Sequence, residues 1–202
     1  MSGVAGSQRV GCLIDVDDSL LCVVDVQPGF VGRLGDDERR EPFLQRVVWV
    51  AALANALAVP IVVTEEEPDR NGPTLPEIVE RLADPTPRHA KPTFGLADVP
   101  EIFAAIEVTG RRTAVLVGME TDVCVAQSAL GLLDRDFRVV VVRDAVLAPG
   151  DAHDDGIERM RSAGAILIGA KGLFYEWVRT VDLARTLDDH VASLPVPDGL
   201  IL

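Results

Sequence analysis

The sequence lacks an excess of positive charge: 19 Lys and Arg residues face 32 Asp and Glu, for a formal net charge of −13. Phosphate backbones and anionic membrane surfaces are gripped by clustered Lys and Arg, so neither nucleic acid nor membrane is expected as a partner. A small molecule or another protein is. Cysteine is scarce as well. Cys12, Cys22 and Cys124 cannot form a closed set of pairs, and none stands in a CxxC or Cys/His zinc spacing. This argues against a disulfide framework and points to a reducing compartment. No uninterrupted run of about 18 apolar residues occurs, and residues 1–9 lack the apolar core of a signal peptide. A soluble, cytoplasmic protein is the expectation. Internal repeats and low-complexity linkers are missing too. The 202 residues, 48% of them hydrophobic, therefore read as one domain, 1–202, with segment 1–9 flexible and 194–202 a tail.

What the chain does have is alternation. Short apolar runs at Leu20–Asp25, Ile61–Thr64, Thr113–Gly118, Arg138–Val142 and Ala165–Ile168 alternate with helical patterns. The helical patterns cover Pro42–Leu57, a looser stretch near Leu75–Ala83, Ala97–Ile106, Cys124–Arg135 and Ala152–Ala163. The runs LLCVV, PIVV, TAVLV, RVVVV and AILI show no polar alternation, as strands buried on both faces require. The predicted fold class is α/β: a three-layer α/β/α sandwich around a central, mostly parallel, Rossmann-like sheet. Ligands of such sheets bind outside the carboxyl ends of the strands. The residues to watch are Asp25, Val26 and Gln27, then Glu65–Glu67, Gly118–Thr121 and Asp144. Residues 66–73 read as a loop over the strand ends, rich in turn formers. Trp49 and the LFYEWV stretch at Leu173–Val178 suit core or subunit contact equally, and the apolar end of the tail is a candidate for packing on a neighbouring subunit.

Cys124 is the informative residue. It follows GMETDV at a strand-to-helix turn, where unpaired backbone N–H groups and the helix dipole favour negative charge. Both features are expected to lower a thiol pKa, and the same N–H groups can bind an oxyanion. A thiolate attacking a carbonyl needs its proton removed and the leaving amine needs one returned, work for a carboxylate such as Asp25. A cation beside both, Lys91, would stabilise thiolate and oxyanion. Each residue also has a plainer reading. Cys124 could be a small core residue, Asp25 a loop cap, and Lys91 a solvated lysine in a Pro-rich loop.

Three blocks decide between these readings: DVQPGF at Asp25–Phe30, AKPTFG at Ala90–Gly95 and GMETDVCVAQSALGLLDRDFRVVVVRDAV at Gly118–Val146. In this order they resemble the signature blocks of isochorismatase-like hydrolases, and IERMRSAGA at Ile157–Ala165 is similar to that family's next helix. The resemblance implies a catalytic triad of Asp25, Lys91 and Cys124. It also implies a cis peptide at Met119–Glu120, an oxyanion hole from the N–H groups of Glu120 and Cys124, and homo-oligomers. Nicotinamidases of the family bind metal through an Asp-x-His pattern after the second strand plus another His, whereas TEEEPDRNGPTLPE here holds no His. No metal and no cofactor are therefore expected. The chain looks closer to the YcaC-like and isochorismatase-domain-containing branch. True isochorismatases often lack the Cys, so hydrolysis of a small amide is expected over vinyl-ether cleavage.

Around the triad, Gln27, Phe30, Phe94 and Thr121 are candidates for substrate contact, although Gln27 could equally bond loop backbone and the aromatics could anchor packing. Asp122 fits a helix N-cap as well as a contact. Glu65–Glu67 fits a solvated turn, or a group that repels anions and holds cations. His153 beside Asp151 and Asp154 has the look of a metal fragment, but a solvated helix start is the simpler reading, and His89 has no role in the scheme. Two further classes remain. One is a non-catalytic oligomeric binding protein on the same fold, since fold alone does not establish activity. The other is a magnesium-dependent phosphatase, because LIDVDDS is similar to the nucleophile motif of haloacid-dehalogenase-type enzymes. Asp15 and Asp17 would then be its carboxylates, with GDAHDD at Gly150–Asp155 as a weak match to the magnesium motif. A new strand directly after that motif, with no room for a cap, speaks against it.

Overall fold

The described strands, β1 (Ser19–Val24), β2 (Ile61–Glu66), β3 (Arg88–Lys91), β4 (Thr113–Gly118), β5 (Arg138–Val146) and β6 (Ile166–Ile168), form one sheet in the order β3-β2-β1-β4-β5-β6. Every neighbouring pair is parallel. The computed structural model describes residues 11–191 and 196–202. The flexible segment expected at 1–9, and residues 194 and 195 of the tail, lie outside them. Crossovers are made by α1 (Pro28–Val31), α2 (Arg40–Ala56), α3 (Pro68–Asn71), α4 (Pro76–Val79), α5 (Pro100–Glu107), α6 (Ala126–Leu133) and α7 (Ala152–Ser162), followed by α8 (Ala170–Val178) and α9 (Val181–Val191). No helix among the described residues is long and apolar enough to cross a membrane.

The unbroken apolar runs have the expected cause. Along β1 every residue is buried, and successive side chains enter opposite layers. Leu21 and Val23 join α2 and α8 in one core, while Leu20, Cys22 and Val24 join α5, α6 and α7 in the other. Two faces covered by helices make the three-layer α/β/α sandwich. The order reverses between β1 and β4, which leaves a crevice outside their carboxyl ends, where ligands bind in open parallel sheets.

Four local expectations change. The stretch before Lys91 is not a loop: Arg88–Lys91 is an edge strand paired to β2 from Val63 to Glu66. Its RHAK sequence is mostly solvent-facing, so it carries no apolar signature. The looser helix near Leu75–Ala83 is a single turn, Pro76–Val79, and the presumed loop 66–73 begins in β2 and contains α3. Trp49 and Trp177 belong to the core of this chain rather than a subunit contact: each is 1% exposed, and Trp49 stacks at 5.7 Å on Phe174. Trp177 Nε1 donates to Ser19 Oγ at 3.0 Å. The end of the tail returns to the same core through Leu200 and Val196.

Gly118 ends β4 at φ 123°, a conformation L side chains rarely adopt, and an added Cβ would meet the carbonyl of Val24 on β1. Gly118→Ala is expected to lower stability by about 3 kcal/mol through backbone strain and overpacking. Urea unfolding checks this, and a loss below about 1 kcal/mol would show that β1 and β4 separate freely.

Candidate active site

Four strand ends converge on the crevice. Asp25 follows β1 with φ 49°, a left-handed turn that takes its side chain out of the strand's alternation. Its Oδ1 accepts a hydrogen bond from Thr64 Oγ1 of β2 at 2.8 Å. Its Oδ2 lies 2.7 Å from Lys91 Nζ, an ion pair in which both side chains are fully buried. Lys91 also donates to the carbonyls of Thr93 and Phe94, each at 2.9 Å. The register of β3 on β2 sets Lys91 beside Glu66, and so beside the end of the crevice.

Cys124 enters from β4. After Gly118 the chain passes through the cis Met119–Glu120 peptide into a single π turn, Thr121–Val125, and then α6. Cys124 Sγ donates to Glu66 Oε2 at 3.0 Å, and the same oxygen lies 3.8 Å from Lys91 Nζ. The potential ligand atoms of Asp25, Glu66 and Cys124 all fall within 4.8 Å of one another, close enough to hold a cation. The cation already among them is the Lys91 ammonium.

Burial dominates the proton affinities. It pushes the Cys124 thiol far up, the Asp25 carboxylate pushes it further, and Lys91 pulls it only partly back. The expectation of a lowered thiol pKa is thereby corrected: the resting sulfur is a hydrogen-bonded thiol, because desolvation and the neighbouring carboxylates outweigh the lysine. Burial also raises the Asp25 carboxyl, against the pull of Lys91 and the Thr64 hydroxyl.

The structure brings Asp25, Lys91 and Cys124 together, and with them a residue the motifs did not single out. Of the Glu65–Glu67 run, which fits a solvated turn or a group that repels anions and holds cations, only part is solvated. Thr64 and Glu66 share a strand face and reach Asp25 and Cys124. Glu65 points the other way, accepting the Thr74 N–H and hydroxyl at 2.8 Å each and pairing with Arg88 at 3.5 Å. The period of two, carried two residues past Thr64, is the signal that separates Glu66 from Glu65.

Other candidates sit elsewhere. Gln27 is fully buried, and its amide is used on loop backbone: Nε2 donates to Glu66 O at 3.0 Å and Gly72 O at 2.5 Å, while Oε1 accepts the Glu66 N–H at 2.7 Å. These bonds hold the Glu66 backbone in place. Thr121 is also buried, its hydroxyl 3.1 Å from His153 Nδ1. His153 does stand at the start of α7 but is half-buried there, and burial lowers its pKa. Phe30 is buried in the core beneath Arg33, whereas Phe94 is 52% exposed. Glu120 reaches Arg33 at 3.4 Å at the rim, and no Asp122 side-chain cap forms on the turn. Asp15 and Asp17 lie at the opposite, amino end of β1, where Asp15 accepts the Asp17 N–H. That placement removes the phosphatase reading. A cavity of about 700 Å³ lined by Arg39, Arg46, Arg143, Asp144 and His153 lies beyond the end of β5, and none of Asp25, Glu66, Lys91 or Cys124 lines it.

Comparison with known proteins agrees with this geometry. Residues 19–171 match the model of the isochorismatase domain. Isochorismatase domain-containing protein 2 of Xenopus laevis is 33% identical over 96% of this chain and 93% of its own length. The structure of YcaC from Pseudomonas aeruginosa with hexane-2,5-diol and covalent acrylamide superposes with a TM-score of 0.81 at 27% identity, over 93% of this chain and 96% of that one. YcaC from Escherichia coli, an octameric hydrolase of unknown specificity, gives 0.80 at 27% identity over 93% and 95%. A matching domain model over most of the chain, a relative matched nearly end to end and solved structures that share the fold show that this chain belongs to the isochorismatase-like hydrolase family.

Proposed function

We propose that the protein hydrolyses a C–N bond of a small amide through a Cys124 thioester, without a metal. The observation that carries this reading is the contact of the Cys124 thiol with buried acid–base groups at the switch point of the sheet. Asp25, whose proton affinity is raised by burial, takes the thiol proton as Sγ attacks the amide carbon. The N–H groups of Glu120 and Cys124 are the donors proposed for the oxyanion. The C–N bond then breaks, Asp25 returns its proton to the leaving nitrogen, and the acyl group stays on sulfur. Water attacks the thioester with Asp25 as base, releasing a carboxylic acid and restoring the thiol. Lys91 supplies the positive charge throughout. A YcaC relative that holds acrylamide covalently and another that is a hydrolase support the reading, and the octameric relative supports homo-oligomers here.

Ammonia or amine release from a panel of small amides tests it. Cys124→Ala should keep its circular dichroism spectrum and lose turnover, and retained turnover would end the thioester route. Asp25→Asn is expected to lower kcat by roughly 10²- to 10⁴-fold, the scale of general acid–base catalysis. A thiol held protonated by burial also predicts a pH profile. In a Cys12→Ser background, which removes the exposed thiol, the iodoacetamide rate at Cys124 should climb through pH 9. A plateau between about pH 6 and 8 would mean a preformed thiolate.

A further inference from the structure

We propose that Glu66 acts as a charge filter on the substrate, admitting neutral or cationic amides rich in N–H donors and rejecting those that carry a carboxylate near the scissile bond. The inference rests on the reading of Cys124 as nucleophile. Within the cluster, Asp25 and Lys91 side chains are fully buried, while the Glu66 side chain keeps 13% of its surface open. Glu66 is therefore the charged group that an incoming molecule meets beside the sulfur.

The carboxylate is held in place. Gln27 grips the Glu66 backbone on both its N–H and its carbonyl, and Asn71 Nδ2 donates to the same carbonyl at 3.0 Å. It is also poorly neutralised. Lys91 directs its ammonium to two carbonyls and to Asp25 at 2.7 Å, leaving Glu66 at 3.8 Å. The neighbouring acids have cations of their own: Glu120 with Arg33 at 3.4 Å, Glu67 with Arg70 at 3.5 Å, Glu65 with Arg88 at 3.5 Å. With Asp25 and Lys91 cancelling, one negative charge remains over the thiol. A second anion within about 5 Å, at an effective dielectric near 20, is disfavoured by more than tenfold, and a cation is favoured in the same measure. The Oε2 atom that now accepts the S–H is also free to accept N–H groups of a bound amide once the thiol proton has left.

Three alkylating probes that differ in charge test this on the full-length protein: iodoacetate, iodoacetamide and 2-bromoethylammonium. Labelling at Cys124 is followed by intact mass and peptide mapping in the Cys12→Ser background. Each rate is divided by that of the same probe with a free cysteine amide, and comparing probes on one protein cancels differences in thiol reactivity. Iodoacetate should be disfavoured against iodoacetamide by about tenfold beyond the free thiol, with the ammonium probe favoured. Glu66→Gln should bring both ratios within about threefold of the free thiol, while Glu67→Gln, one residue further on, leaves them unchanged. Wild-type ratios equal to the free thiol, or ratios untouched by Glu66→Gln, overturn the filter and leave the amidase reading standing. The wild-type comparison needs no variant to fold. Failure of every probe to label Cys124 at pH 9 would overturn the nucleophile and the filter together.

Discussion

The site is organised by one ion pair, Lys91 with Asp25, taken wholly out of water. Two charges buried this way are tolerated only when the remaining hydrogen-bonding capacity is met, and here the Thr64 hydroxyl serves the carboxylate while the Thr93 and Phe94 carbonyls serve the ammonium. Those partners come from β1, β2, β3 and the loop after β3. The pair thus ties an edge strand and the loop after it to the centre of the sheet. Removing either partner would strand an uncompensated charge in the crevice, a far larger penalty than the pair itself returns in stability.

Cys124 is placed against this pair rather than against a histidine, and the consequence is a thiol at rest. A sulfur packed among apolar residues and two carboxylates meets desolvation and like-charge repulsion, and one lysine already committed to Asp25 offsets only part of both. In the proposed mechanism the sulfur becomes charged only while its proton rests on the neighbouring carboxylate. Asp25 suits that exchange because burial raises its affinity for a proton, and its partner Lys91 keeps the raised affinity within reach of a second transfer.

Glu66 and Gln27 show how the same chemistry is extended by backbone geometry. The left-handed turn at Asp25 lets Gln27 fold across to β2, where it occupies both backbone groups of Glu66. A buried amide whose donors and acceptor are used on backbone is a fixture. In the proposed charge filter it acts through the carboxylate it holds.

The sequence by itself determined the layered α/β fold, because strands buried on both faces must be continuous apolar runs and β1 and β4 are. It also marked Asp25, just past the first run at the carboxyl edge, Cys124 at the strand-to-helix turn after β4, and Lys91 through the three blocks that resemble one family. It could not show β3, whose RHAK sequence, exposed or half-buried up to the buried Lys91, has no apolar face to betray a strand. Nor could it show that the face shared by Thr64 and Glu66 meets the thiol, or that Gln27 serves the backbone while Thr121 turns to His153. Those outcomes, and the protonation of Cys124, were decided by tertiary structure. Register across β2 and β3 and the depth of burial depend on residues distant in sequence, and no local pattern encodes them.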